Sequence, residues 1–103
     1  MNFGGSLQEA VTLIRSGQMR DAIESWELEA EPEVLKQRLL ILGQACTGLN
    51  LRKEGLELIL KALRLDEQDV VSLCIAAEAL VDCQKFDQAV PYFLKATHIA
   101  PHH

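Results

Sequence analysis

The chain has 103 residues, with ten Lys and Arg against fifteen Asp and Glu for a net charge of −5, and 49% of it is hydrophobic. That is the balance of one small globular domain, with little room for an enzyme built around an elaborate cleft. The acidity sets it against nucleic acid, whose phosphates would repel it. Apolar runs such as Leu39-Leu40-Ile41-Leu42 are far too short to span a bilayer, and the opening MNFGGSLQEA lacks the basic and apolar regions of a signal peptide, so membrane insertion is not expected and the location reads as cytoplasmic.

Along the chain, Ser6-Leu7-Gln8-Glu9 has the form of a capping box, which predicts a helix over 7–16 and leaves Met1 to Gly5 as a loose tail. A second helix is expected over 19–30. Its acidic stretch ESWELEAEPE reads as a solvated face, the alternative being a docking patch for a basic partner, and Trp26 reads as a core anchor. Pro32 marks the start of a third helix, 33–49, with an apolar stripe through Leu39, Leu42, Cys46 and Leu49. After a break at Asn50-Leu51-Arg52, a fourth, 52–65, carries Leu56, Ile59, Leu60 and Leu63. Asp69 is the expected N-cap of a fifth, 70–83, with Leu73, Ala76, Leu80 and Cys83, and Asp87 that of a sixth, 87–99, with Val90, Phe93 and Leu94. With that cap, Pro91 falls in the first turn and a half, where few hydrogen bonds are lost.

The last four helices repeat. LKALRLD at 60–66 returns as LKATHIA at 94–100, and at the same offset Leu39 meets Leu73, Gly43 meets Ala77, Gly55 meets Ala89 and Ile59 meets Phe93. Large residues stay large and small ones small, so each unit is one helical hairpin. A fainter version, with Ala10, Leu13, Gly17, Ala22, Ile23 and Trp26, precedes them. These units resemble the tetratricopeptide repeat. The third unit carries the likeness best, through Leu73, Ala77, Leu80, Phe86, Ala89, Phe93, Ala96 and Pro101; the second departs from it at Arg52 and Glu67, the first at Glu9 and Glu29. The resemblance implies an all-α solenoid of three helix-turn-helix hairpins in a right-handed superhelix, a single domain with repeats at about 6–34, 36–68 and 70–103. It also implies a protein or peptide partner, held as an extended peptide or amphipathic helix in a concave groove lined by the first helix of each hairpin.

Helical geometry then nominates the groove residues: Leu7, Val11, Ile14 and Arg15; Gln37, Leu40, Ile41, Gln44 and Thr47; Val71, Cys74, Ile75, Glu78 and Asp82. For Ile14, Ile41 and Ile75, packing between helices is an equal alternative. Some relatives of this repeat clamp a C-terminal carboxylate with basic and amide side chains. Here Leu7, Val11, Ile41, Val71 and Ile75 stand at those positions, and an apolar residue cannot donate to a carboxylate. No clamp is expected, and an apolar groove with amides and acids beside it suits a hydrophobic segment bearing a few basic residues.

Cys46, Cys74 and Cys83 form no CxxC pair and read as small buried hydrophobes, with Cys74 the candidate for a partner-facing thiol. His98, His102 and His103 are divided by Pro101, so no metal site is expected, and with no phosphate loop, GxSxG or HExxH, neither a cofactor nor an enzyme is. Two other readings stay open: a scaffold that self-associates through Val90, Leu94 and Thr97 with the flank around Leu80 and Val81, or a regulatory segment of a larger protein.

Overall fold

The computed structural model describes residues 7–21, 23–24 and 30–101. All regular structure among them is α-helical: α1 (Leu7–Arg15), α2 (Pro32–Gly48), α3 (Arg52–Leu65), α4 (Val70–Asp82) and α5 (Phe86–Ile99), with further helical residues at 19–21 and 23–24. For these five helices the expected boundaries hold to within one residue, while the end of the expected helix over 19–30 lies outside the described residues. Ser6 of the capping box, and Trp26 with the centre of the acidic stretch, lie outside the described residues; Glu24, Glu31 and Glu33 are exposed.

Two start signals act as expected. Pro32 opens α2, where its missing N–H costs nothing, and the Asp69 carboxylate caps α4 by accepting from the Ser72 N–H at 3.2 Å. At α5 the expected cap misses by two residues: Lys85 is the N-cap and Phe86 the first helical residue, so Pro91 sits deeper than a cap at Asp87 would place it. The hydrogen bond it removes would have gone to the carbonyl of Asp87, an exposed residue that water can serve.

One backbone device ends the first helix of each unit. Gly17, Asn50 and Gln84 are left-handed, with φ of 83°, 67° and 60°. In each case the residue that follows donates five residues back: Gln18 to Leu13 at 2.7 Å, Leu51 to Cys46 at 2.8 Å and Lys85 to Leu80 at 2.8 Å. The left-handed residue itself donates three back, to Ile14, Thr47 and Val81. This is a Schellman-type close, recurring 33 and then 34 residues on, so the faint first unit shares its turn with the other two.

The hairpins α2–α3 and α4–α5 pack internally, α3 packs on α4, and α1 lies against α2. Leu39, Leu42, Cys46, Leu58, Ile59, Leu73 and Leu80 are almost wholly buried, each large aliphatic side chain contributing about 1.5–3 kcal/mol. Small residues set the spacing: a Cβ built on Gly55 would lie 2.6 Å from the Gly43 carbonyl oxygen, so α2 and α3 touch backbone to backbone. Ala77, Ala89 and Ala96 are buried at corresponding places in and around the α4–α5 hairpin.

A polar bolt joins the two hairpins. Lys36, 5% exposed, pairs with Glu33 at 3.0 Å, Asp66 at 3.4 Å and Asp69 at 3.5 Å. The hydrogen bond it donates to Glu33 holds its ammonium above the usual lysine value against the opposing pull of burial, with the charge of Asp69 adding to the effect. Burial pushes the Asp69 carboxyl up, but the Ser72 hydroxyl and N–H, together with Lys36, outweigh it and hold the group below the ordinary aspartate range.

Candidate functional site

Between α2 and α4 runs an open groove of about 270 Å³. Gln44, Thr47 and Gly48 form its α2 wall, Ile75, Glu78, Ala79 and Asp82 its α4 wall, and Ile59 of α3 contributes from beneath. The spacing is that of a helical face, three and four residues apart, so the walls follow from the same periodicity that buries Leu39, Leu42 and Cys46 on the neighbouring arc. Thr47 is fixed by donating its hydroxyl to the Gly43 carbonyl at 3.0 Å. Ile41 and Val71, 53% and 51% exposed, continue the apolar strip toward the N-terminal ends of α2 and α4.

Chemically this is an apolar floor with one amide and two carboxylates at its edge. Glu78 and Asp82 lie one turn apart on α4, and no basic residue is among the groove's lining. The surface therefore offers dispersion and hydrophobic contact to an aliphatic anchor and a negative potential to cations beside it. It holds no acid–base pair placed for catalysis, and no group of three His, Cys, Asp or Glu positioned for a metal occurs among the described residues.

The sequence-derived groove divides in two. Gln44, Glu78 and Asp82 line it, together with Thr47 and Ile75; Gln37, Val71 and Arg15 are exposed, and Cys74 is half-buried at the edge of the core. Val11, Ile14 and Leu40 belong elsewhere, being 8%, 3% and 6% exposed within the core. The reason is that α2 packs against both α1 and α3, so its buried arc is wider than one stripe and takes in Leu40, while α1 turns Val11 and Ile14 into the shared core. Leu7's side chain lies outside the described residues. Periodicity on one helix could not show how many neighbours that helix has. The contributions of Gly48, Ala79 and Ile59 escaped the sequence reading because a small residue, or one reaching up from the layer below, looks like core.

The thiols are quiet. Burial pushes Cys46 up, as does the charge of Glu54, with Arg15 opposing, so it stays a protonated core residue. Cys83 donates to the Arg52 carbonyl at 3.6 Å, tying the end of α4 to the start of α3. A larger cavity, about 540 Å³, lies between the helical residues at 19–21 and 23–24 and α3; Arg20, Lys61 and Arg64 alternate there with Glu24 and Glu57, a mixture that selects no ligand charge.

Residues 70–103 match the family model for the tetratricopeptide repeat. The match covers α4, its Schellman-type turn and α5, the hairpin whose first helix forms the acidic wall of the groove. A search of the curated proteins found no match. Tetratricopeptide repeats are in general modules of protein–protein interaction. Among the described residues no helix is long and apolar enough to cross a membrane.

Proposed function

We infer that the chain is a protein-binding module that holds an apolar segment with flanking basic residues in the groove between α2 and α4. The observation that carries this is the pairing of an aliphatic strip, the half-buried Ile75 with the exposed Ile41 and Val71, with the carboxylates of Glu78 and Asp82 at its rim. A partner presents Leu- or Ile-type anchors to the floor and Lys or Arg to the rim, as an extended peptide or one face of a helix. The units at about 36–68 and 70–103 act together, since the groove takes helices from both. Two half-buried unpaired thiols, Cys74 and Cys83, suit a reducing, cytoplasmic setting.

Selection from a random peptide library, followed by fluorescence anisotropy on the enriched sequences, tests this reading. Enriched peptides should combine aliphatic anchors with lysine or arginine, lose about tenfold in affinity against Glu78→Lys, and bind equally well with an amidated C-terminus. A large loss on amidation would contradict it, because Ile41, Val71 and Ile75 offer nothing to a carboxylate.

A further inference from the structure

The two hairpins supply an internal control. On α3, Leu56, Ile59 and Leu63 are 8%, 1% and 6% exposed, because α4 as well as α2 packs on that helix. Their counterparts on α5, 34 residues on, are Val90, Phe93 and Thr97, and the first two are 52% and 40% exposed. Phe86, 58% exposed, and Leu94, 64% exposed, complete the stripe. Val81 on α4 is also exposed, but Leu80 is 1% exposed and belongs to the core, so the bare surface is one face of α5 and not the flank of α4 expected from the sequence.

That face has a definite pattern. Phe86, Val90, Phe93 and Thr97 are spaced four, three and four apart, the seam of a two-stranded coiled coil, and the stripe carries no charge. The repeat equivalence says that a helix covers such a face. A second copy stacked head to tail would have to present α1, whose exposed residues include Gln8, Glu9, Thr12 and Arg15, a polar surface unsuited to it. The second copy's own α5 is suited. In an antiparallel pair related by a twofold axis, Val90 meets Phe93 and Phe86 meets Thr97, each contact made twice. Asp87 and His98 lie on the same flank of α5, at opposite ends, so the antiparallel arrangement sets Asp87 of each copy beside His98 of the other, whereas a parallel one would leave the two residues at opposite ends of the seam.

We propose that two copies of this chain pair through α5, antiparallel, with Phe86, Val90, Phe93 and Leu94 as the apolar seam and Asp87–His98 contacts at both ends. The exposed fractions of these side chains amount to on the order of 400 Å² of apolar surface per copy, within the range of functional patches on monomers and about half of what each partner buries in a stable interface, which places the pair among weak, transient ones. Association is accordingly in the micromolar range or weaker. The pairing is independent of the groove, which lies on α2 and α4, and a dimer would carry two grooves.

Sedimentation equilibrium of the whole chain, from micromolar to near-millimolar concentration, tests the proposal. The weight-average mass should rise from 11.5 kDa toward twice that value and no further. Leu94→Lys, at an exposed position, should leave the thermal unfolding of the monomer unchanged and weaken association by about tenfold or more. Asp87→Lys should weaken it too, and Asp87→Lys with His98→Glu should restore it, since the swap rebuilds the contact only between antiparallel helices. A chain that stays at 11.5 kDa throughout overturns the proposal. Association that continues past the dimer, ignores Leu94→Lys, or is not restored by the swap overturns it as well.

Discussion

Replacing Gly55 with alanine would put a methyl carbon 2.6 Å from the Gly43 carbonyl oxygen, 3.2 Å from the Thr47 backbone nitrogen and hard against the Thr47 hydroxyl. Two of those three neighbours are backbone atoms of α2, which cannot yield unless the helices part. Alanine gains about 1 kcal/mol over glycine in a helix. Overpacking costs about 1–3 kcal/mol and occasionally more, and contact with a rigid helix backbone belongs at the upper end. The net expectation is a loss of about 2 kcal/mol, or about 8–16 °C in Tm for a domain of this size. Gly43→Ala should cost less: its closest neighbour is Ile59 Cγ1 at 2.6 Å, part of a side chain that can turn aside, although the Gly55 carbonyl oxygen at 3.0 Å remains. Circular-dichroism melts and urea titrations of both variants are the assay. If Gly55→Ala is neutral or stabilising, helix propensity has won and the backbone contact of α2 with α3 is not as described.

Three further outcomes are expected. Gln84 holds φ of 60° with an exposed side chain, so Gln84→Gly should stabilise the chain by about 1 kcal/mol in urea unfolding, whereas Gln84→Val should destabilise it. Asp69→Ala removes both the α4 cap and one partner of Lys36 and should cost about 1–2 kcal/mol; Asp69→Asn, which keeps an acceptor for the Ser72 N–H, should cost less. Because the folded state lowers the Asp69 pKa, its contribution is complete above the ordinary aspartate value and fades as pH falls through the depressed one, so the difference in stability between wild type and Asp69→Ala should shrink in acid. Lys36 has the opposite sign, with a raised pKa, so its share is complete at neutral pH and fades only above the ordinary lysine value; a stability difference for Lys36→Met that shrank between pH 6 and pH 8 would contradict that.

Helix positions were legible because apolar spacing and punctuation agreed: Pro32 and Asp69 announced their helices, and the offset between Leu39 and Leu73 announced the repeat. Gly43, Ala77, Ala89 and Ala96 were legible as close approaches because small residues recur in register at buried positions. Depth was less legible. Val11 and Leu40 fit the groove-facing spacing of their own helices, and only the presence of neighbours on two sides of α2 draws Leu40 inward. The Lys36 bolt was not legible at all: Lys36 and Asp66 lie thirty residues apart, and nothing local marks a lysine as buried. Nor was the left-handed Gln84, since glutamine carries no turn preference of its own; its place in the repeat, aligned with Asn50 and Gly17, was the signal available. Phe86 takes part in the family resemblance, yet its exposure depends on what packs on α5.

The central claim is that the groove between α2 and α4 is the binding surface, and backbone-amide chemical-shift mapping tests it most directly. A short peptide with two leucine anchors and neighbouring lysines, titrated into isotope-labelled chain, should shift the amides of Gln44, Thr47, Ile75, Glu78 and Asp82 together, with Glu78→Lys moving the titration to about tenfold higher peptide concentration. Shifts clustered instead along α5, or around Met19, Ile23 and Leu60, with the groove amides unmoved, would contradict it.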